Sequence, residues 1–438
     1  MNSKWIWSNL PQAAHRRGVS LLMVGVLLAV AAAIANAQQP LSWDEVKARF
    51  EAMNPALKAD AAGVDEMRAA EITASLRPNP QLGATVDGSQ IARHNGVWQP
   101  MAGTFVSPNL SYLHEREHKR ELRLQSAQQG TGIAGTEHED LKRNLEFGLR
   151  MAFVATLQAK AVVQAAKADL DYYDKVIAIS RARFHAGDLA QIDLDRIELG
   201  RVQYEAELQA ALVGLQTAKI QLLQLLDART PVQDFDVAGS YEFSDVLPEL
   251  EQFHQAALDA RPDLAAALAT IIQAETNHKL AVANGSTDPT FSGWYTWNSS
   301  TNNPNATQTV GASVSIPLRI FDRNQGEKQR TQIDVDRSRQ TSKAVRAQVF
   351  ADVDSAYALV ASTITQLRPY KSQYNQQAIK VRETVTYSYE HGGASLMDFL
   401  NAESEYRQVE LAYLELIGSY LSAAGQLNLA VGKDVLHY

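Results

Sequence analysis

Two short stretches with nearly the same letters show that the chain repeats a structural unit. Residues 184–198 read FHAGDLAQIDLDRIE and residues 389–403 read YEHGGASLMDFLNAE, which places Gly187 and Gly392 205 residues apart. The acidic residues that follow keep this separation: Asp193 with Asp398, Glu198 with Glu403, Glu205 with Glu410. Matching prolines upstream lie 209 residues apart: Pro80 with Pro289, Pro108 with Pro317. Internal similarity of this kind predicts two copies of one unit.

Each of these glycines lies between two stretches that are patterned as helices. After Gly187, apolar residues recur at alternating spacings of three and four, with Arg201 as the one exception. Such heptads predict antiparallel helices packed as coiled coils, and the glycines predict the reversals because Gly adopts left-handed angles at a helix C-cap. A helix over 136–184 would be roughly 70 Å long, and one over 325–388 roughly 95 Å with a kink at Pro369.

Each unit also contains two segments with the period of two that is typical of strands. In 79–113, Leu82, Ala84 and Val86 alternate with polar or small residues. The corresponding segment, 289–318, contains an alternating run ending at Ile316 and an aromatic face: Phe291, Gly293, Tyr295, Trp297. Four strands cannot close a barrel, so we expect copies of the chain to complete one with eight strands as a dimer or twelve as a trimer.

The N-terminus has the pattern of an export signal. Basic residues precede the apolar run 19–35, and Ala35-Asn36-Ala37 is a small-x-small cleavage motif. We expect residues 1–37 to be removed, so that the mature chain begins at Gln38; the alternative is an uncleaved membrane anchor. The predicted repeats are then 38–240, with a helical hairpin at about 136–227, and 241–438, with one at about 325–431.

Composition excludes several classes of function. The formal net charge is −8, and no block of Lys and Arg residues outweighs the dispersed acids, which argues against a nucleic-acid partner. The chain has no cysteine, and therefore no disulfide, thiolate metal site or cysteine nucleophile. No nucleotide-binding glycine loop, Ser-His-Asp arrangement or redox motif is present, so we predict neither an enzyme nor a bound cofactor.

The repeated turn motif and the export signal resemble those of the TolC-type outer-membrane efflux channels. The shared pattern is an aromatic residue, a glycine three residues later and an aspartate six residues after that: Phe184, Gly187, Asp193; Tyr389, Gly392, Asp398. The segment SIPLRIFDRNQGEKQR at 315–330 resembles the strand-to-helix junction of the branch that works with heavy-metal pumps of the Czc and Cus kind. The similarity covers residues 38–438.

The resemblance implies a mainly α-helical fold with a membrane β-barrel. Three copies would form a twelve-stranded barrel in the outer membrane of a Gram-negative cell and a helical tunnel across the periplasm. The partners implied are outer-membrane lipid, a periplasmic adaptor protein and an inner-membrane pump of the RND type. The implied function is a passive exit duct for divalent heavy-metal cations. Drug or organic-solute efflux and type I secretion are the alternatives within the same fold.

The resemblance also assigns roles to the two turns. It implies that Asp398 and Asn401, just after the second turn, line a narrow periplasmic aperture, where three aspartates would attract cations. Asn401 departs from the doubly acidic version of this motif. The alternative is that Asp398 only caps the next helix, as Asp193 would. The residues implied for the helix reversals and adaptor docking are Gly187, Asp188, Asp193, Gly392 and Gly393.

Two rival interpretations rest on other features. Residues 114–118 read HEREH, which matches the HExxH pattern of zinc peptidases, with His138 as the one nearby candidate for a third ligand. The alternatives for this segment are an adventitious metal contact and a solvated charged turn. The second rival, a secreted coiled-coil scaffold, would keep the heptads but would not need the apolar strand faces. His185 and His391 flank the two glycines and form a further, weak candidate for metal contact.

Overall fold

A computed structural model of the chain describes residues 40–101, 103–298 and 307–436. The predicted export signal and the start at Gln38 lie outside these ranges. The helices are α1 Trp43–Met53, α2 Pro55–Ser75, α3 Lys119–Ala186, α4 Gln191–Leu225, α5 Leu250–Ala260, α6 Pro262–Asn284, α7 Gln325–Pro369, α8 Asn375–Glu390 and α9 Leu396–Val431. The strands are β1 Gln81–Asp87, β2 Phe105–Leu113, β3 Thr290–Asn298 and β4 Gln308–Ser315. Short 3₁₀ and π segments span Val232–Asp234 and Tyr370–Tyr374.

The order of elements is the same in both halves of the chain: two helices, two strands and a long helical hairpin, whose first arm in the second half is divided into α7 and α8 by the π segment. The first helix begins with a capping box, in which the Ser42 amide donates to Glu45 Oε2 at 2.8 Å and the Glu45 amide donates to Ser42 Oγ at 3.4 Å. The second helix of each half begins at a proline, Pro55 or Pro262, whose missing N–H is not needed in a first turn.

The four strands form one antiparallel sheet in the order β1-β2-β3-β4. Because alternate residues point to opposite faces, the register assigns each side chain to a face. One face is mostly apolar: Leu82, Ala84, Val86, Val106, Pro108, Leu110, Tyr112, Phe291, Gly293, Tyr295, Trp297, Val310, Ala312, Val314. The other face carries mostly small polar residues, and on it Ser107 Oγ lies 2.8 Å from Thr296 Oγ1. The aromatic residues predicted to share one strand face do so.

The long helix α3 begins at Lys119 rather than near Thr136. Its 68 residues extend about 100 Å. The glycines near its start lower helix propensity, but contacts with α6 hold this part in place. Gln273 Nε2 donates to the Ser126 carbonyl at 3.0 Å, and Ser126 Oγ donates to Asn277 Oδ1 at 2.6 Å. Lys119 itself is buried and bonded to Asp288 at 2.6 Å.

Next to Pro369, where a kink is predicted, the helix contains a π-helical turn. Pro369 ends α7, and Tyr370–Tyr374 form the π segment before α8 begins. Proline lacks the N–H that an α-helical hydrogen bond would need, so the helix changes its bonding pattern nearby. The ring of Tyr370 stacks on Tyr413 of α9, with the ring centroids 6.0 Å apart, which supports the turn from the neighbouring helix.

Three apolar clusters hold the helices together. One joins α5, α7 and α9, and a second joins α1, α3 and α4. The third lies where the long helices reverse and includes Tyr173, Ile197, Tyr389 and Phe399. Since these residues come from both hairpins, the two reversals lie at the same end of the molecule. Within the described residues, no helix contains an apolar stretch of the length that a membrane-spanning helix requires.

Candidate functional site

The first helix reversal is at Gly187, which adopts the left-handed conformation with φ of 86°. Its amide donates to the Phe184 carbonyl at 3.0 Å, and the Asp188 amide donates to the Arg183 carbonyl at 2.9 Å. These bonds satisfy carbonyls that the end of α3 would leave unpaired. The side chain of Asp188 is exposed at the surface of the turn.

The second reversal is built in a similar way. Gly392 has φ of 75°, and its amide donates to the Tyr389 carbonyl at 3.1 Å. The Gly393 amide donates to the Ser388 carbonyl at 2.7 Å. Both turns therefore have the geometry that the repeated glycine predicts.

Arg183 connects the two reversals. Its guanidinium donates to the Tyr389 carbonyl of the second turn and lies 5.0 Å from the centre of the Tyr389 ring. Tyr389 is 1% exposed, its ring stacks on Phe399 at 5.3 Å, and its hydroxyl lies 3.3 Å from Ser180 Oγ. We call this end of the molecule, formed by the two turns and Arg183, the tip.

Asp398 caps the helix that follows the second turn. It is the third residue of a capping box: the Asp398 amide donates to Ser395 Oγ at 3.2 Å, and the Ser395 amide donates to Asp398 Oδ2 at 3.0 Å. The bonds from the Ser395 side chain and amide lower the pKa of Asp398. Both Asp398 and Asn401 are exposed.

The matching position in the first turn has no such cap. There the residue before α4 is Ala190, and no side chain caps the helix. Asp193 lies half-buried in the first turn of α4. It does not take part in a capping box, as Asp398 does. The two aspartates agree in sequence register and differ in bonding because Ser395 is replaced by alanine.

The HEREH segment does not have the geometry of a zinc peptidase. Glu117 and His118 have φ of 56° and 55°, and α3 begins only after them, so His114 and His118 do not share a helical face. Glu115 forms an ion pair with Arg123. Among the described residues, no group of three or more His, Asp or Glu side chains is placed to hold a metal ion.

Sequence reasoning missed two features of the helices near the tip. One is the link from Arg183 to the second turn, for which a basic residue beside the first turn was the available signal. The other is a buried charged cluster around Glu403, which lies among the otherwise apolar positions of α9. The signal for that cluster was an acid next to the heptad position Ala402.

Comparisons with known proteins agree with this architecture. Residues 254–433 match the family model described as Outer membrane efflux protein. Over 411 residues the chain is 22% identical to the cobalt-zinc-cadmium resistance protein CzcC of Cupriavidus metallidurans, and the match covers 91% of each protein.

Solved structures share the fold over nearly the whole chain. The TM-score with CusC is 0.73 at 18% identity, covering 89% of this chain and 92% of CusC. With the open state of the Neisseria gonorrhoeae MtrE outer membrane channel it is 0.71 at 17% identity, covering 90% and 89%. VceC of Vibrio cholerae gives 0.70 at 15% identity, covering 89% and 96%. The family match over the second repeat and the fold shared along the chain agree with the resemblance to TolC-type outer-membrane efflux channels.

Proposed function

We propose that three copies of this outer-membrane channel protein form the exit duct of a tripartite efflux system. The observation that carries the proposal is the sheet. It has one apolar face, and its outer strands β1 and β4 have no partner within the described part of the chain. An apolar face can be covered by lipid, and an open edge can pair with another copy. Three copies would contribute twelve strands.

The helices supply the tunnel in this proposal. At about 100 Å, α3 is far longer than the ~30 Å apolar core of a bilayer. The sheet lies at one end of the long helices, and the tip lies at the other. With the sheet in the outer membrane, the helices would extend through the periplasm and carry the tip towards the inner membrane.

The tip is the part that we expect to contact the adaptor protein of an inner-membrane RND-type pump. Gly187, Asp188 and Asp193 in the first turn and Gly392 and Gly393 in the second would form the docking surface. The exposed polar backbone of tight turns can be recognised without rearranging the helices. Energy would come from the pump, since the channel itself is passive.

We further propose that Asp398 and Asn401 line the aperture at the tip. Ser395 holds the Asp398 carboxylate ionised in the single chain. Three such carboxylates round a symmetry axis would repel each other, and a cation would relieve that repulsion. Cap and aperture are compatible roles, because the capping bonds use one oxygen of the carboxylate.

Divalent heavy-metal cations are the proposed cargo. The support is the similarity to CzcC, whose name states cobalt, zinc and cadmium resistance. Selectivity would reside in the pump, because a duct need not bind what passes through it.

Metal tolerance tests this proposal. The gene would be deleted in its own host, and growth would be measured in graded cobalt, zinc and cadmium and, separately, in organic dyes and detergents. We expect loss of tolerance to one or more of the metals, restored by the intact gene. Loss confined to organic compounds would contradict the metal cargo, and unchanged tolerance to every compound would contradict the role in efflux.

A further inference from the structure

A carboxylate is buried without a hydrogen-bond partner in the helices above the tip. Glu403 lies two turns into α9 and is 1% exposed, and among the described residues neither of its carboxylate oxygens has a partner. Glu403 and its neighbour Asp169 of α3 are surrounded by charged and ionisable groups from each helix packed around them. These groups are Tyr172 and Tyr173 on α3; Tyr204 and Glu207 on α4; Arg382 on α8; Tyr406, Arg407 and Glu410 on α9. The cluster therefore joins the first helical hairpin to the second.

The cations of this cluster are engaged with other acids. Arg382 Nη1 lies 3.6 Å from Asp169 Oδ1, and its guanidinium lies 3.5 Å from the centre of the Tyr406 ring. Arg407 Nη2 donates to Glu207 Oε1 at 2.8 Å. The cluster contains four carboxyl groups: Asp169, Glu207, Glu403 and Glu410. When all four are ionised, the two arginines face four negative charges. A buried charge that lacks a partner is costly, so the packed arrangement favours a neutral Glu403.

The proton affinity of the cluster agrees with this geometry. Burial raises the pKa of Glu403 to about 7, and burial together with Glu410 raises the pKa of Asp169 to about 6. A carboxyl group whose pKa is raised by folding binds its proton more tightly in the folded state. Its packed state is therefore favoured at low pH and is destabilised as the pH rises towards and through 7.

The repeat provides an internal comparison. Glu198 is the residue that matches Glu403 in the first copy, and its side chain is 40% exposed and accepts a bond from Arg181 Nε at 2.7 Å. The fold of the unit thus accepts a solvated, paired glutamate at this position. Burial without a partner is particular to the second hairpin, which carries the proposed aperture.

We propose that Glu403 is a proton-operated latch between the two helical hairpins. The neutral side chain lets α8 and α9 pack on α3 and α4, and ionisation favours a looser arrangement in which water reaches the carboxylate. Protonation shifts the population between the two arrangements because it favours one of them. The tip is then held closed at acid pH and loosens as the pH rises. The effect on conductance rests on the proposed channel function, whereas the titration of Glu403 does not.

Thermal unfolding tests the titration. Detergent-solubilised protein would be unfolded at pH values from 4.5 to 8, followed by helical circular dichroism. We expect the Glu403→Gln variant to unfold a few degrees above the parent at pH 8 and to approach it near pH 4.5, the ordinary pKa of a glutamate, because the variant cannot ionise. Comparison with the parent separates this group from the chain's 10 histidines. Glu403→Met should behave in the same way, and Glu198→Gln should keep the parent's pH dependence.

Conductance in planar bilayers tests the latch itself. We expect parent conductance to rise between pH 6 and pH 8, and Glu403→Gln to stay at the low value. An unfolding temperature with the same pH dependence in Glu403→Gln as in the parent would overturn the titration. A variant that flattens unfolding while its channels still open with pH would overturn the latch. If no protein forms channels, the proposed function fails, and unfolding still decides whether Glu403 titrates.

Discussion

Ser395 gives the two matching aspartates of the tip different surroundings. It bonds to Asp398 in a capping box, whereas the first copy has Ala190 at its position. Asp398 therefore has a structural role in the single chain, beside the aperture role that we propose. An experiment on the aperture must separate the charge of Asp398 from its contribution to the helix start.

The charge of Asp398 can be tested through conductance. Asp398→Ala should raise single-channel conductance in planar bilayers because it removes a ring of three charges, and Asp398→Arg should shift ion preference towards anions. Both substitutions also remove the cap, which we expect to lower the stability of the helix start. Ser395→Ala is the matched control, since it breaks the cap and keeps the carboxylate. Asp193→Ala should have a smaller effect than Asp398→Ala. Equal conductance and selectivity in the Asp398 variants and the parent, or the same change in Ser395→Ala, would contradict the aperture role.

Glu115 provides a test of the zinc-peptidase interpretation. Its half-buried carboxylate pairs with Arg123 at the helix start, and glutamine keeps the shape and the hydrogen-bonding capacity of the side chain, so Glu115→Gln should cost about 1–2 kcal/mol of stability. We expect unchanged metal tolerance in cells and no stoichiometric zinc in the purified protein by elemental analysis. One zinc per chain together with peptide hydrolysis that the substitution abolishes would be the contrary result.

Conformations that only a few residue types adopt could be predicted from the sequence. Gly187 and Gly392 were located because a helix reversal needs left-handed angles. The bond from Arg183 to the Tyr389 carbonyl joins residues 206 positions apart, and no local pattern specifies it. Glu403 was matched to Glu198 by register, but its burial depends on which helices surround it.

At the scale of elements, glycines in the turns and glycines in the helices have opposite effects on stability. Gly187 needs φ of 86°, which a side chain makes costly even though a Cβ atom would meet nothing within 4 Å. Gly148 lies inside α3 and also has free space for a Cβ atom.

This contrast gives a prediction for the helix reversal. Gly187→Ala should lower stability by about 1 kcal/mol because alanine resists left-handed angles. Gly148→Ala is the matched control and should raise stability by roughly 0.5–1 kcal/mol, since alanine favours the helix. Thermal unfolding in detergent measures both, and a Gly187→Ala protein as stable as the parent would contradict the turn geometry.

The extent of α3 shows why element boundaries were harder to predict than the elements themselves. The glycines between Lys119 and Thr136 weaken the helical pattern, so a start near Thr136 followed from propensity. Contacts with α6, through Gln273 and Asn277, supply stability that propensity does not describe. Pro369 was a reliable signal because it removes a hydrogen bond whatever surrounds it.

At the scale of the whole molecule, the sequence repeat predicted most of the fold. The shared register required two copies of one unit, and the period of two required a sheet with an apolar face. Strand β2 of the first repeat pairs with β3 of the second repeat, which joins the four strands into one sheet with its edges at β1 and β4. The number of copies that close the barrel is not encoded in any single strand.

The proposed assembly predicts where the chain is found and how large it is. The mature protein should begin at Gln38, fractionate with outer membranes and have the mass of a trimer in mild detergent. Light scattering with correction for bound detergent measures that mass. A soluble monomer in the periplasmic fraction would contradict the assembly.

The pairing of sheet edges between copies is the most direct test of the proposed barrel. Within the chain, Asn109 of β2 pairs with Trp294 of β3. Trp294 matches Thr85 of β1 in the repeat, and Ser313 of β4 takes the ladder position of Asn109, because Asn109 pairs with Gly83 and Ser313 pairs with Ser292, the residue that matches Gly83. Since the chain has no cysteine, Thr85→Cys combined with Ser313→Cys introduces the only thiols.

On oxidation of intact membranes, we predict disulfides between copies of the chain and a ladder that ends at three chains on a denaturing gel. Thr85→Cys with Val314→Cys is the control, because Val314 lies on the opposite face of the sheet and should link poorly. The proposed barrel would be contradicted if the Thr85 and Ser313 cysteines stayed unlinked between copies, or if both pairs linked equally well.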